Sequence, residues 1–192
     1  VCQLIQKDSI DEFISYTKKK NFSFNGKINS SIFETNYMLM MNEPTLIEYA
    51  AFNGSIKIFK FLQSKGVLLT SSIWLYAIHG NSPQLIHILE DNNVEPTDAT
   101  YVECLKESIK CFHNDIAEYI LNIFVREKVS DLSFLYSYAI QKHNYDYFDI
   151  NPTETTMRLC YFCKYDYYDL VYILFKTNKI KPHTFGIIIT PK

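Results

Sequence analysis

The chain is 192 residues long, 47% apolar and 16% aromatic, with a formal charge of -2 from 19 basic and 21 acidic side chains. That much apolar surface can build a core, which excludes whole-chain disorder, and the near-neutral balance leaves no basic field to hold nucleic acid or an anionic membrane. Only Arg126 and Arg158 among the basic residues are arginines, which argues against guanidinium recognition of phosphate, and 5 glycines are too few for a turn-rich β-sandwich or barrel.

Residues 1–42 read as a divergent N-terminal repeat or cap with a connection after it. Val1-Cys2-Gln3 lacks the basic region and apolar stretch of a signal peptide. There is no starting Met, as expected of a piece of a longer chain. Ile10, Phe13, Ile14 and Thr17 share one helical face, and Lys18-Lys19-Lys20 suits the negative end of that helix. Residues 21–42 read as a connection carrying one short helix. A terminal unit of this kind shields the core of a helical array from water.

Residues 43–130 carry a repeated pattern. Tyr49-Ala50-Ala51 precedes Ile58-Phe59-Lys60-Phe61-Leu62, and Tyr76-Ala77-Ile78 precedes Leu85-Ile86-His87-Ile88-Leu89. Ser108 then takes the small position ahead of Ile116-Ala117-Glu118-Tyr119-Ile120. The i, i+1, i+3, i+4 spacing is one helical face, so each unit holds two helices. Asn53-Gly54-Ser55 makes the turn inside the first, Ser82 caps a helix whose first residue is Pro83, and Asn114-Asp115 opens another. Lys65-Gly66, Asn92-Asn93 and Thr177-Asn178-Lys179 mark unit ends. Trp74 aligns with Ile47 and is expected inside.

Residues 131–192 hold a degenerate unit, a C-terminal unit and a tail. Tyr138-Ala139-Ile140 and Tyr147-Phe148 begin the degenerate unit, and Asn151-Pro152 stops its second helix. Tyr161-Phe162-Cys163 and Leu170-Val171-Tyr172-Ile173-Leu174 form the last. Ile187-Ile188-Ile189 is the longest late apolar run, far below the roughly 20 residues of a membrane helix. The expected fold is all-α, a helical repeat solenoid of stacked helix pairs. Ala50, Ala51, Ala77, Ser108 and Ala139 sit where neighbouring pairs press together. Phe162 and Cys163 break that rule.

These residues resemble the ankyrin repeat, whose pattern is Thr-Pro-Leu-His-x-Ala-Ala, a Gly turn, and a second helix with paired aliphatics and a closing Gly. The unit from Pro44 to Val67 carries Thr45, Ala50, Ala51, Gly54, Ile58, Phe59, Leu62 and Gly66 in register. The unit from Ser72 to Val94 is similar, and those starting near Tyr101, Leu132 and Thr155 less so. Leu46 stands where the pattern has Pro and Glu48 where it has His, while Thr45 can still cap its helix. Stretches such as Ser31-Ile32-Phe33-Glu34-Thr35-Asn36, Trp74-Leu75-Tyr76-Ala77-Ile78-His79-Gly80 and His113-Asn114-Asp115-Ile116-Ala117 look like a large protist family of ankyrin-repeat proteins with an uncharacterised leading domain. The resemblance implies an ankyrin-like solenoid that binds protein and no known reaction.

No assembled chemistry stands out. Cys160-x-x-Cys163 has metal-like spacing, but zinc needs two more ligands and His183 is the one nearby candidate, so buried reduced thiols are expected. Cys111 and His113 straddle a helix end and point apart. His79 and His87 are expected in solvent. The run Tyr161, Phe162, Tyr165, Tyr167, Tyr168, Tyr172 divides between packing and exposure. Five cysteines without framework spacing suit a reducing, cytoplasmic setting.

The expected function is therefore non-catalytic binding of an unidentified protein partner, with no nucleic acid, membrane, metal or cofactor involved. The alternative is a structural spacer or cap in a longer repeat chain. Carried over unit by unit, the partner-binding positions are Phe52 and Asn53, His79 and Gly80, Lys110 and Cys111, and Lys164 and Tyr165. Lys65 and Asn92 are expected at turns on the same side.

Overall fold

The computed structural model describes residues 1–19, 21–29, 34–147 and 155–178. Sequence expectations that fall on residues 20, 31–33 and 148–152, on His183 and on residues 187–189 lie outside them. The described elements are all helical; the one β-type contact among them is an isolated antiparallel bridge between Lys27 and Thr45. No helix among the described residues is long and apolar enough to cross a membrane. The chain divides into two compact units, Val1–Ser130 and Asp131–Lys192.

Among its described residues the first unit contains four helix pairs and one isolated helix. The pairs are α1 (Cys2–Gln6) with α2 (Ile10–Thr17), α4 (Leu46–Phe52) with α5 (Ile56–Ser64), α6 (Ile73–His79) with α7 (Pro83–Asp91), and α8 (Val102–Lys110) with α9 (Asn114–Ile120). Helix α3 (Tyr37–Asn42) is the short helix of the connection, and α9 runs on into a π-helical turn, Leu121–Val125. First helices pack on first helices: α4 lies against α6, α6 against α8 and α1 against α4.

Every pair turns in the same way. Asp8, Gly54, Asn81 and Phe112 hold φ of 48, 65, 46 and 61°, the left-handed region, between the two helices of their pairs. Such a residue ends one helix and frees the next two N–H groups to bond backwards. Gly54 N–H donates to Ala51 O and Ser55 N–H to Ala50 O; Phe112 and His113 do the same to Ile109 and Ser108. In two pairs the residue that opens the second helix also reaches the neighbouring pair. Ser55 Oγ donates to Ile5 O, and His113 Nδ1–H donates to Ile78 O at 2.8 Å. Because Ser55 is so engaged, Asp8 caps α5 instead, its carboxylate accepting from Lys57 N–H and Ile58 N–H at 3.1 and 2.9 Å.

The small positions allow this close approach. Ala50, Ala51, Ala77 and Ser108 are fully buried. A methyl group on Gly80 would meet Ala51 O at 2.2 Å and Gly54 N at 3.0 Å. Thr45 and Glu48 form a capping box on α4, and the second Glu48 oxygen accepts from Thr70 and Ser72 ahead of α6. Glu48, which occupies the histidine position of the repeat pattern, thereby ties two pairs together.

Ile58, Leu85, Ile116, Leu62, Leu89 and Ile120, of the eight positions Ile58/Leu85/Ile116/Leu170 and Leu62/Leu89/Ile120/Leu174 expected inside from their helical-face spacing, are all buried, while the side chain of Leu174 lies outside the described residues. Trp74 is fully buried and donates from Nε1 to Val94 O at 2.6 Å. Its ring meets Tyr101 edge-on, and Phe124, carried round by the π-helical turn, stacks on Tyr101 with centroids 4.3 Å apart. The sequence pattern gives no sign of that turn. At the other end Phe13 packs against Phe22 and Phe61, and Phe24 joins them, so the connection after α2 folds back on the first pairs.

The second unit has α10 (Ser133–Gln141), a 3-10 turn at Tyr145–Tyr147, and the pair α11 (Thr155–Lys164) with α12 (Tyr168–Asn178). His143 and Asp166 repeat the left-handed turn at φ 60 and 58°, and Tyr167 OH donates to Ile140 O at 3.2 Å. Ala139 is fully buried, and Ile140, Leu159, Phe162 and Val171 form the core, with Leu170 only half-buried. Tyr161, Tyr165 and Tyr167 pack against it, whereas Tyr168 and Tyr172 are exposed. Cys160 and Cys163 are both exposed thiols, which corrects the expectation that they are buried.

Two outcomes test this packing. Leu89→Ala should cost about 2–5 kcal/mol, measured in denaturant through Trp74 emission, which should be blue-shifted in the folded protein and move red on unfolding. Gly80→Ala should cost about 1–3 kcal/mol through overpacking, although alanine is the better helix former; a stabilised variant would refute the close contact between α4 and α6.

Candidate functional site at the hairpin tips

The first helices end side by side, so the residues just before each left-handed turn become neighbours. Phe52, His79 and Lys110 are equivalent, each two positions ahead of Gly54, Asn81 and Phe112. Phe52 and His79 stack, with ring centroids 5.1 Å apart and planes 29° off parallel. His79 Nε2 lies 2.6 Å from Glu107 Oε1, and Lys110 Nζ reaches the same carboxylate at 2.9 and 3.2 Å. Cys111 Sγ lies 3.5 Å from His79 Nδ1.

The proton positions follow from the partners. Glu107 sits within its helix-tip network, and burial alone would raise its carboxyl; hydrogen bonds from His79 and Lys110 outweigh this and hold it below the usual carboxylate range. An ionised carboxylate only accepts, so Nε2 of His79 donates to Glu107, and Nδ1 lies on the side of Cys111. Burial, aided by the Glu107 charge, pushes that thiol up to about 11. Cys104, buried further along α8, is pushed up to about 12 by burial.

His79 is 13% exposed in its side chain, a correction to the expectation that solvent surrounds it. His113 is held by Ile78 O, so it is not the group that meets Cys111. His87 is exposed as expected and pairs with Glu90 at 2.8 Å. Between α7 and α9 lies a groove of about 220 Å³ lined by Pro83, Ile86, His87, Asp115, Ile116 and Tyr119. It is smaller than the usual ligand pocket.

Of the sequence-derived site, Phe52, Asn53, His79, Gly80, Lys110 and Cys111 come together at the tips of the first unit. Asn53 is half-buried and its side chain donates to Tyr49 O at 2.8 Å. Gly80 is half-buried against the Gly54 turn. Lys65 and Asn92 close α5 and α7, and a short turn reverses the chain before each of those helices. They therefore stand at the far ends of their pairs, which corrects their placement on the same side as the tips. The two pairs adjoin at that end, where Gln63 Nε2 donates to Asn92 Oδ1 at 3.1 Å. In the second unit Lys164 is exposed and Tyr165 is half-buried, its hydroxyl 3.2 Å from Ser137 Oγ. Glu107 and Phe112 belong to the tips and were not singled out from sequence. Glu107 is one helical turn before Cys111, a spacing that identifies it once Cys111 is considered. Phe112 is an exposed aromatic in a left-handed turn, a conformation its residue type gives no reason to expect.

Comparison with protein-family models, with curated proteins and with solved structures gives no match to this chain.

The lowered Glu107 carboxyl makes a signed prediction. Its contribution to stability is present above the usual carboxylate range and is lost as pH falls through the lowered folded value. Glu107→Gln should therefore be less stable than the parent by about 1–2 kcal/mol at neutral pH, with the gap closing on acidification. Thermal midpoints of both proteins from pH 7 down to 3 check this; a gap independent of pH would mean the charge is not what matters.

Proposed function

We propose that the chain is an ankyrin-like helical repeat stack that binds a protein partner through the hairpin tips and first helices, without catalysis. The carrying observation is that side chains from successive pairs are delivered to one surface: Phe52 on His79, and Lys110 beside Phe112, which is 54% exposed. The recurrent left-handed turn and the cross-pair bonds of Ser55 and His113 support the repeat reading, because both recur at equivalent positions. A surface whose backbone is fixed by its own turns loses little entropy on binding. Exposed aromatic and long basic side chains set among polar neighbours are the groups that anchor protein interfaces.

The surface offers mixed charge. Lys110 is 45% exposed and already paired with Glu107, so it presents a compensated charge, suited to a partner with both polar and apolar contacts. The test is capture from native cell extract by wild type and by a Phe112→Asp, Lys110→Glu variant, with Tyr172→Ala as a control in the second unit. Partners retained by wild type and by the control should fall by about tenfold or more with the tip variant, the effect of losing one interface anchor. Equal retention by all three proteins would place the interface elsewhere.

A further inference from the structure

We propose that His79, Glu107 and Cys111 form a binding site for a divalent transition-metal cation of the zinc class. Among the described residues it is the one group of three His, Cys, Asp or Glu donors whose ligand atoms all lie within 4.8 Å of one another. The set mixes imidazole, carboxylate and thiol, the donors that zinc takes, and three protein ligands leave a fourth position open.

The distances fit a tetrahedron after small adjustments. Cys111 Sγ lies 3.8 Å from His79 Nε2 and 3.9 Å from Glu107 Oε1, and Nε2 lies 2.6 Å from Oε1. Ordinary zinc bond lengths give tetrahedral edges of about 3.3–3.6 Å. The two sulfur edges must close by a few tenths of an ångström, and the His79–Glu107 edge must open by about 0.7 Å as a cation replaces their shared hydrogen. Two of the ligands are one turn apart at the end of α8, and the third is the last residue of α6. Both helices thus direct their negative carbonyl ends at the site, which favours a cation.

Lys110 competes for the carboxylate. Its side chain is 45% exposed, so its ammonium can turn into water when a doubly charged ion takes its place. On binding, the thiol proton leaves to solvent, and the imidazole proton moves from Nε2 to Nδ1 so that Nε2 can give its lone pair to the metal.

The same three groups also lie at the distances of a thiol nucleophile, a base and an orienting carboxylate. That chemistry needs a thiolate before any metal arrives. Burial and the adjacent Glu107 charge oppose it and push the Cys111 thiol up to about 11. A metal removes the obstacle itself, because coordination deprotonates the thiol. This site is distinct from Cys160-x-x-Cys163, whose two exposed sulfurs lie in the other unit.

The experiment titrates the full chain with Co(II) and follows absorption. Binding of one Co(II) per chain with a thiolate-to-cobalt charge-transfer band, displaced by zinc, is expected. Cys111→Ser should abolish the band, and His79→Ala should weaken binding by about tenfold or more, with circular dichroism showing both variants folded. A Cys160→Ser, Cys163→Ser variant should keep the band. No band with wild type, or a band kept by Cys111→Ser and lost with the double variant, overturns the site. A second reading uses wild type alone: zinc, unlike magnesium, should protect Cys111 from alkylation as followed by peptide mass, and equal labelling in both ions overturns it too.

Discussion

Everything in the first unit depends on how closely α6 can approach α4. The contact is backbone against backbone: the Cα of Gly80 sits where a methyl group would lie 2.2 Å from Ala51 O. Ala50, Ala51 and Ala77 keep the rest of that seam free of bulk, and all three are fully buried. With the helices this near, their ends fall level, and the side chains just before each turn meet. The Phe52–His79 stack is a consequence of that spacing, and the His79–Glu107 bond follows from the matching approach of α8 to α6. Larger residues on the seam would separate the tips and dissolve the site while leaving each helix intact.

The turn is the second half of the same constraint. A left-handed residue closes each helix and releases the following N–H groups to bond back to the carbonyls of the helix just ended. Gly54 takes that conformation without strain, but Asn81, Phe112, His143 and Asp166 carry side chains in the same region. Bare side-chain bulk disfavours it, so the bonds from the second-helix openers must hold these turns in place. Ser55, His113 and Tyr167 are chemically unlike, yet each donates to the carbonyl three residues before the turn of the preceding pair. What the fold demands there is a donor that reaches, not a particular residue type.

That explains what was legible beforehand. The apolar face spacing, Ser82 ahead of Pro83, Thr45 ahead of Glu48 and the alignment of Trp74 with Ile47 are local signals, and each depends on residues within one or two helical turns. The all-α class follows from those signals. The meeting of Cys111 with His79 does not, because it depends on the offset between two helices rather than on a pattern inside either. Reading Cys111 against His113, its neighbour in sequence, missed a partner that lies across the seam. Asp8 capping α5 is hidden for the same reason: a helix whose opening Ser55 is engaged elsewhere takes its cap from a different pair. The outward face of Tyr172 and the inward face of Tyr167 were equally ambiguous, since an aromatic run satisfies both roles until the packing partner is known.

Where the tips lie also decides their electrostatic character. Three first helices end there, and each helix end is a cluster of carbonyl oxygens short of donors. Asn53 meets one of these carbonyls with its own side-chain amide, and His113 meets another with its ring N–H. Glu107 adds a full negative charge to a place already rich in acceptors, which is costly unless donors or cations gather around it. His79 and Lys110 do gather, and their bonds outweigh the burial of the carboxylate. The network therefore exists to neutralise Glu107, and its members can be exchanged. An ammonium on a flexible stem, an imidazole N–H and a divalent ion satisfy the same oxygens. Of these only the ion also satisfies Cys111, whose thiol is otherwise left as a weak donor beside an imidazole nitrogen 3.5 Å away. The sulfur decides between a plain ion-pair network and a metal centre, because an ion pair gains little from a neighbouring thiol while a zinc-class cation gains a ligand.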